Sequence, residues 1–223
     1  MGKIRLDKYL ADMGLGTRSQ VKQQIRKGSV TVNGEIVKTP DYKIDIEEDR
    51  VAAGGKCLAY ETFSYYMLHK PQGVVSATED KRDKTVLDLL VSKKRKDLFP
   101  VGRLDKDTEG LLLITNDGEL AHNLLAPKKH VDKTYLVKLR YSVSEEELKQ
   151  LESGVDIGEK DQVLLTIRAG KFHQVKRMFQ AVDNEVVYLK RLSMGSLQLD
   201  EKLQPGEYRE LTQEEIERLK EHA

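Results

Sequence analysis

Between Val101 and Gly118 the chain reads V-G-R-L-D-K-D-T-E-G-L-L-L-I-T-N-D-G, and no other stretch limits the fold as much. Leu111, Leu112, Leu113 and Ile114 form an apolar run of buried-strand length, closed by the turn signal Asn116-Asp117-Gly118. Gly102 to Thr108, just ahead of it, is short, polar and rich in opposite charges. A charged loop is thus fastened to a buried strand, an arrangement that suits chemistry because rigid sheet gives loop side chains positional accuracy. Asp105 and Asp107 are the candidates for a reactive carboxylate, with Arg103 near enough in sequence to keep one of them ionised. Loop chemistry alone leaves a second reading open, a solvated surface cluster whose pairs contribute little.

The pattern G-R-L-D-x-x-T-x-G-L-L-L-x-T-N-D-G resembles the signature of RNA pseudouridine synthases of the RsuA/RluB/RluE/RluF family, over more than a dozen positions. Length and composition are compatible with such an enzyme. The 223 residues suffice for one large domain and a small appendage. Charged residues make up 34%, mean hydropathy is −0.56, and no apolar run approaches the roughly 20 residues of a membrane span. Met1-Gly2-Lys3-Ile4-Arg5 offers no signal-peptide core, so a cytoplasmic protein without a membrane partner is expected. The single Cys57 cannot form an internal disulfide, and His122 and His130 lack metal-ligand spacing. No metal or cofactor is expected.

The net charge of +1 hides an uneven distribution. Residues 1–40 hold eight Lys and Arg against three acidic residues, while the tail from Asp200 holds eight acidic against four basic. The basic head is the electrostatic footprint to follow.

Ile4 to Asp12 has the spacing of a helix ended by Gly14 and Gly16. Thr17 or Ser19 caps a second helix, Gln20 to Lys27, with Val21 and Ile25 inside and Arg18, Lys22, Arg26 and Lys27 outside. Val30 to Val37 surrounds Asn33-Gly34, the strongest short hairpin signal. This helix-helix-hairpin order, with R-L-D-K-Y-L-A, T-R-S-Q-V-K-Q-Q-I-R-K-G and V-T-V-N-G-E, resembles the S4-type RNA-binding domain. The basic helix face is spaced to track phosphates, although a merely solvated face fits as well when the helix is taken alone. Asp41 to Glu61 is acidic on balance and Ala52-Ala53-Gly54-Gly55 interrupts any period, so the domain junction is expected near Tyr60.

The fold class that follows is α+β: a small S4-type domain over residues 1–60, then a synthase domain over 61–223 built on a mixed, mainly antiparallel sheet flanked by helices. Phe63 to Leu68, Lys133 to Val137 and Val163 to Ile167 read as strands, and Glu119 to Leu125 and Ser144 to Ser153 as helices. Val86 to Val91 reads as a short helix or turn, and Ser92 to Asp97 as a basic surface piece. Lys70-Pro71-Gln72-Gly73 matches the family's first motif, with Lys70 facing RNA, the active loop or a purely structural turn. Pro205 to Thr212, P-G-E-Y-R-E-L-T, also agrees with the family and leads into a Thr-capped helix. One departure stands out. The family usually carries roughly fifteen to twenty more residues between Gly158-Glu159-Lys160-Asp161 and Val163, so either a strand pair is lost or a loop is left out.

The resemblance implies isomerisation of uridine to pseudouridine in ribosomal RNA. In that chemistry the bond from C1′ to N1 breaks and the ribose rejoins at C5, with a carboxylate acting beside the sugar of a flipped-out nucleotide. It assigns the carboxylate to Asp105, its cationic partner to Lys171 of G-K-F-H-Q-V-K-R-M-F, and the aromatic against the base to Tyr135 of K-T-Y. Arg103 braces the gap left by the flipped base, and Lys176 and Arg177 face RNA from a helix. Read without the family, Tyr135 is a core or edge-strand aromatic. The K-P-Q-G motif, the V-D-K-T-Y run and the short tail look most like the small-subunit branch, which points to uridine 516 of 16S rRNA, with 16S rRNA or a small-subunit assembly intermediate as partner and a monomeric enzyme. The alternatives are a large-subunit (23S) rRNA enzyme of the same family and a non-catalytic S4-type assembly factor. A metal-dependent site on Asp105 and Asp107 lacks the further acidic ligands it would need.

Overall fold

The structure, a computed structural model, describes residues 3–58, 60, 62–92, 95–142, 154–156 and 161–221. The expected helix over Ser144–Ser153 and most of the site of the expected deletion, 157–160, lie outside these residues. The chain forms two compact units, one made of Met1–Ser64 with Ser92–Asp97, the other of Tyr65–Val91 with Leu98–Ala223.

The first unit opens with β1 (Ile4–Arg5) and α1 (Leu6–Asp12), so the expected first helix starts two residues late. Ile4 and Arg5 pair instead with Ile44 and Lys43 of β4 (Lys43–Ile44). α2 (Arg18–Arg26) begins in a capping box, in which Thr17 Oγ1 accepts from the Gln20 amide and the Gln20 side chain accepts from the Thr17 amide. β2 (Val30–Val32) and β3 (Glu35–Ile36) close the hairpin around Asn33 and Gly34, whose φ values of 54° and 87° fit the left-handed turn that Asn-Gly permits. The Ala52–Gly55 stretch is a second hairpin rather than an interruption: Gly54-Gly55 turns β5 (Val51–Ala53) onto β6 (Lys56–Leu58). Leu6, Leu10, Val21, Ile25, Val30, Ile44 and Val51 are fully buried together, which leaves Arg18 and Arg26 exposed on α2 and Lys27 exposed at its C-cap. Lys22 reaches back to within 3.8 Å of Asp7.

The expected surface piece around Arg95 is corrected. Arg95 is 3% exposed, gripped by Asp97 at 2.6 and 2.8 Å, 3.6 Å from Asp12, and 5.2 Å from the Tyr60 ring centre. A guanidinium survives such burial because carboxylates and an aromatic face replace its water.

In the second unit one large sheet carries everything else. β7 (Tyr65–Lys70), β8 (Phe99–Pro100), β9 (Glu109–Thr115), β10 (Lys133–Leu139), β11 (Gly154–Asp156), β12 (Gln162–Ile167), β13 (Val186–Met194), β14 (Leu197–Gln198) and β15 (Tyr208–Glu210) join it. The order is β11-β12-β10-β13-β9-β7-β15, with β14 on β13 and β8 on β9. Only β13 and β9 run parallel, so the sheet is mixed and mainly antiparallel. α3 (Gly118–Leu125), α4 (Gln174–Gln180), α5 (Gln213–Glu221) and a 3-10 turn at Val86–Leu89 cover its faces.

The leucine run of β9 is buried on both sides of this sheet. Leu111 and Leu113 pack with Leu120, Leu124 and Leu219 on the α3 and α5 side. Leu112 and Ile114 pack with Leu104, Val175 and Phe179 on the α4 side. Period-2 alternation between two apolar layers explains why the run shows no polar face.

The parallel contact depends on Gly110. Its φ is +113°, and a Cβ there would lie 2.2 Å from the Arg191 carbonyl oxygen and 2.6 Å from its nitrogen. Neither atom can retreat without parting β9 from β13. Gly110→Ala is therefore expected to destabilise the protein by at least ~3 kcal/mol, read as a fall in the denaturant midpoint by circular dichroism.

Candidate active site

The loop from Gly102 to Thr108 is held from beneath by three donors. Lys70, at the end of β7, is fully buried, and its Nζ donates to the carbonyls of Pro71 at 3.1 Å, Asp105 at 2.9 Å and Thr108 at 2.7 Å. The Gly73 amide donates to the Lys106 carbonyl at 2.7 Å. Ser76 Oγ both donates to the Leu104 carbonyl and accepts from the Leu104 amide. Of the three roles open to Lys70 in the sequence, the structure selects the active loop. An ammonium has three protons, and here each finds a carbonyl.

Above this clamp the Asp105 carboxylate is about a third exposed and meets two cations. Its Oδ2 lies 3.4 Å from Lys176 Nζ and 3.5 Å from His173 Nε2, the latter an ion pair only when the ring is protonated. Lys176 also donates to both oxygens of Asp107, at 2.7 and 2.8 Å. It thus sits between the two candidate carboxylates. Its hydrogen bond holds the Asp107 carboxyl below the usual carboxylate range. Burial opposes the charge on Lys176 itself, but Asp107 and Asp105 outweigh it and raise its pKa.

The sequence-expected partner, Lys171, is not in this position. It precedes α4, exposed, and its backbone amide donates to the Gln174 side chain; no ion pair joins it to Asp105. The physical reason is where the helix starts. Lys176 lies in the first turn of α4, which points at the loop, and a cation there works against the helix dipole unless carboxylates face it. Asp105 and Asp107 do. Arg103 is likewise exposed without an ion pair to either aspartate, so the charge beside them comes from Lys176 instead.

Arg103, Asp105, Tyr135, Lys171 and Lys176 nevertheless all line one cavity, together with Thr108, His173 and the apolar side chains of Ile167, Val175 and Leu189. Tyr135 is 7% exposed on β10, between the core and the cavity wall. Arg177 is exposed on α4 outside this lining. Sequence reasoning missed His173 and Thr108. His173 caps α4 with φ 49° and ψ 32°, a left-handed conformation that turns its ring toward the loop. Its signal was the spacing H-Q-V-K, which puts His173 and Lys176 at one helix end. The Thr108 hydroxyl is buried without a hydrogen-bond partner among the described residues.

No group of three His, Cys, Asp or Glu side chains comes close enough to share a metal ion among the described residues. The space between Asp105 and Asp107 is taken by an ammonium group, a poor place for a metal cation. What the arrangement offers is a partly exposed carboxylate at the mouth of a cavity with one apolar wall, a tyrosine and surrounding cations.

The RNA pseudouridylate synthase family matches residues 64–181, and the S4 domain matches residues 4–51. An uncharacterized RNA pseudouridine synthase of Bacillus subtilis (strain 168), YtzG, is 50% identical over 236 residues, covering 98% of this chain and 99% of that one. That alignment is longer than the present 223 residues, so the relative carries positions without a counterpart here. Ribosomal small subunit pseudouridine synthase A of Escherichia coli (strain K12) is 44% identical, covering 96% and 98% of the two chains. A solved structure described as a pseudouridylate synthase aligns with a TM-score of 0.67 at 41% identity, over 97% of this chain and 99% of that one.

Burial pushes the Lys70 pKa down from 10.5 to about 8. From about pH 8 to 10.5 the unfolded chain keeps a proton that the folded chain has released, so this group adds stability as pH rises through that window. In urea titrations the stability of wild type relative to Lys70→Met is expected to rise between pH 8 and pH 10. At pH 7 the substitution leaves three carbonyls unpaired and is expected to cost roughly 2–4 kcal/mol.

Proposed function

Because the chain belongs to the RNA pseudouridylate synthase family, we propose that it converts uridine 516 of 16S rRNA to pseudouridine, with Asp105 as the reacting carboxylate. The observation that carries this reading is the Asp105–Lys176 contact, 3.4 Å, on a loop clamped by Lys70 at the mouth of a cavity lined by Tyr135. The choice of target is supported by the 44% identity to a synthase named for the small ribosomal subunit.

In this reading the RNA is bound in two places. The S4 domain supplies Arg18, Arg26 and Lys27, with Lys22 beside them, to phosphates; such contacts give affinity that falls steeply with salt. The target nucleotide is flipped out, and its base enters against Tyr135, a flat partner that replaces lost stacking. Arg103, exposed at the rim, fills the vacated place in the RNA.

Asp105 then acts at C1′ of the ribose, either as nucleophile or as a negative charge beside a developing cation. The bond from C1′ to N1 breaks, the detached uracil turns within the cavity, and C5 bonds to C1′. The proton on C5 is lost to solvent and N1 gains one, so atoms balance without redox change. Lys176 pairs with the carboxylate, and Asp107 holds Lys176 in place. Lys171 serves as a phosphate contact. With both RNA-gripping and reacting modules in one chain, the enzyme acts as a monomer in the cytoplasm.

The test is to map pseudouridine after incubating the protein with 16S and 23S rRNA and with partly assembled small subunits. Conversion at uridine 516 is the expected result. Conversion only in 23S rRNA would reassign the target, and binding without any conversion would leave a non-catalytic assembly factor. Two variants separate the lysines. Lys176→Met is expected to lower kcat by roughly a hundredfold or more, as removal of a charge-positioning group does. Lys171→Met is expected to raise KM for RNA several-fold at nearly unchanged kcat, both read by tritium release from 5-tritiated uridine in the RNA.

A further inference from the structure

Phe172 is 77% exposed, yet it stands in sequence between two residues that line the cavity, Lys171 and His173. A single exposed aromatic is ordinary on a protein surface. The surroundings of this one are not. Its ring lies parallel to the His173 imidazole, with centroids 3.7 Å apart and planes 19° apart. His173 in turn comes within 3.5 Å of Asp105. One face of the phenyl ring is therefore covered by a side chain that touches the reacting carboxylate, and most of its remaining surface is in water.

The stack is bought with backbone strain. His173 occupies the left-handed region at φ 49°, which a residue with a Cβ rarely adopts. Core packing does not require Phe172, since Val175 and Phe179 fill the apolar side of α4. Lys171 and Arg177 are both exposed nearby, with no carboxylate in ion-pair range among the described residues. A flat apolar face flanked by unpaired cations is the chemistry that receives a base and its phosphates.

We propose that Phe172 is a stacking platform for the base next to the flipped uridine, with Lys171 and Arg177 taking the adjoining phosphates. The inference rests on the reading of the Asp105 cavity as the uridine site. Flipping one nucleotide leaves a neighbour on each side short of a stacking partner; with Arg103 against one of them, Phe172, backed by His173, covers the other beside the cavity. Because every base has a flat face, the platform tolerates sequence and adds affinity and register rather than base identity.

The test uses a hairpin fragment of 16S rRNA spanning uridine 516, with 2-aminopurine replacing the base on either side in turn. At saturating protein the probe at one of the two positions is expected to be more quenched in the wild-type complex than with Phe172→Ala. Phe172→Trp restores the quenching and Phe172→Leu does not, whereas a packing role would favour the reverse. Phe172→Ala is expected to bind roughly tenfold more weakly with an unchanged melting temperature. Equal fluorescence at both positions and equal Kd in all four proteins would overturn the proposal. Tritium release by wild type is scored separately, on 16S rRNA, 23S rRNA and partly assembled small subunits: its absence from all three refutes the reading of the cavity, while release with an unaffected Phe172→Ala refutes the platform alone.

Discussion

A buried ammonium group holds the active loop. Lys70 Nζ meets three backbone carbonyls, two of them from Asp105 and Thr108, and no carboxylate is hydrogen-bonded to it. Burying a charge whose hydrogen-bond partners are all carbonyls is costly: burial outweighs the attraction of Asp107, Asp105 and Glu109 and brings its pKa to about 8. That cost secures a loop whose backbone cannot drift while its side chains face water. The Asp105 carboxylate is then aimed by its own peptide group, which is bolted to the sheet, and not by side-chain packing.

Charges above and below the loop are kept apart by function. Below, Lys70 neutralises carbonyl dipoles; above, Lys176 answers two carboxylates at the start of α4. If one lysine served both sides, any movement of the upper charges would loosen the backbone. Asp107 holds Lys176 at 2.7 Å, closer than the 3.4 Å between Lys176 and Asp105.

Much of this was legible in the sequence, and the exceptions have physical causes. The leucine run declared a strand because an apolar stretch of that length, stopped by Asn-Asp-Gly, has few other fates. Asn33-Gly34 declared its hairpin for the same kind of local reason. β13 was silent: Val186 to Met194 mixes β-branched residues with the adjacent charges Lys190 and Arg191, which look like surface. They become strand because Glu109 faces Lys190 at 3.7 Å and the Leu111 carbonyl accepts from Arg191 Nε at 2.8 Å, contacts made only when distant segments meet. Arg95 looked like surface for the same reason, since its partners Asp12 and Tyr60 are far away in sequence. Lys171 and Lys176 are equally basic in the motif. Only the helix start at Gln174 decides which of them reaches Asp105.

The central claim is that one carboxylate, Asp105, performs the reaction while the surrounding cations and the S4 domain hold the RNA. It is tested most directly by measuring single-turnover pseudouridine formation and RNA affinity side by side on Asp105→Asn, which keeps shape and removes charge. The account predicts RNA affinity within a few-fold of wild type and no detectable product. Product formed at the wild-type rate would contradict it.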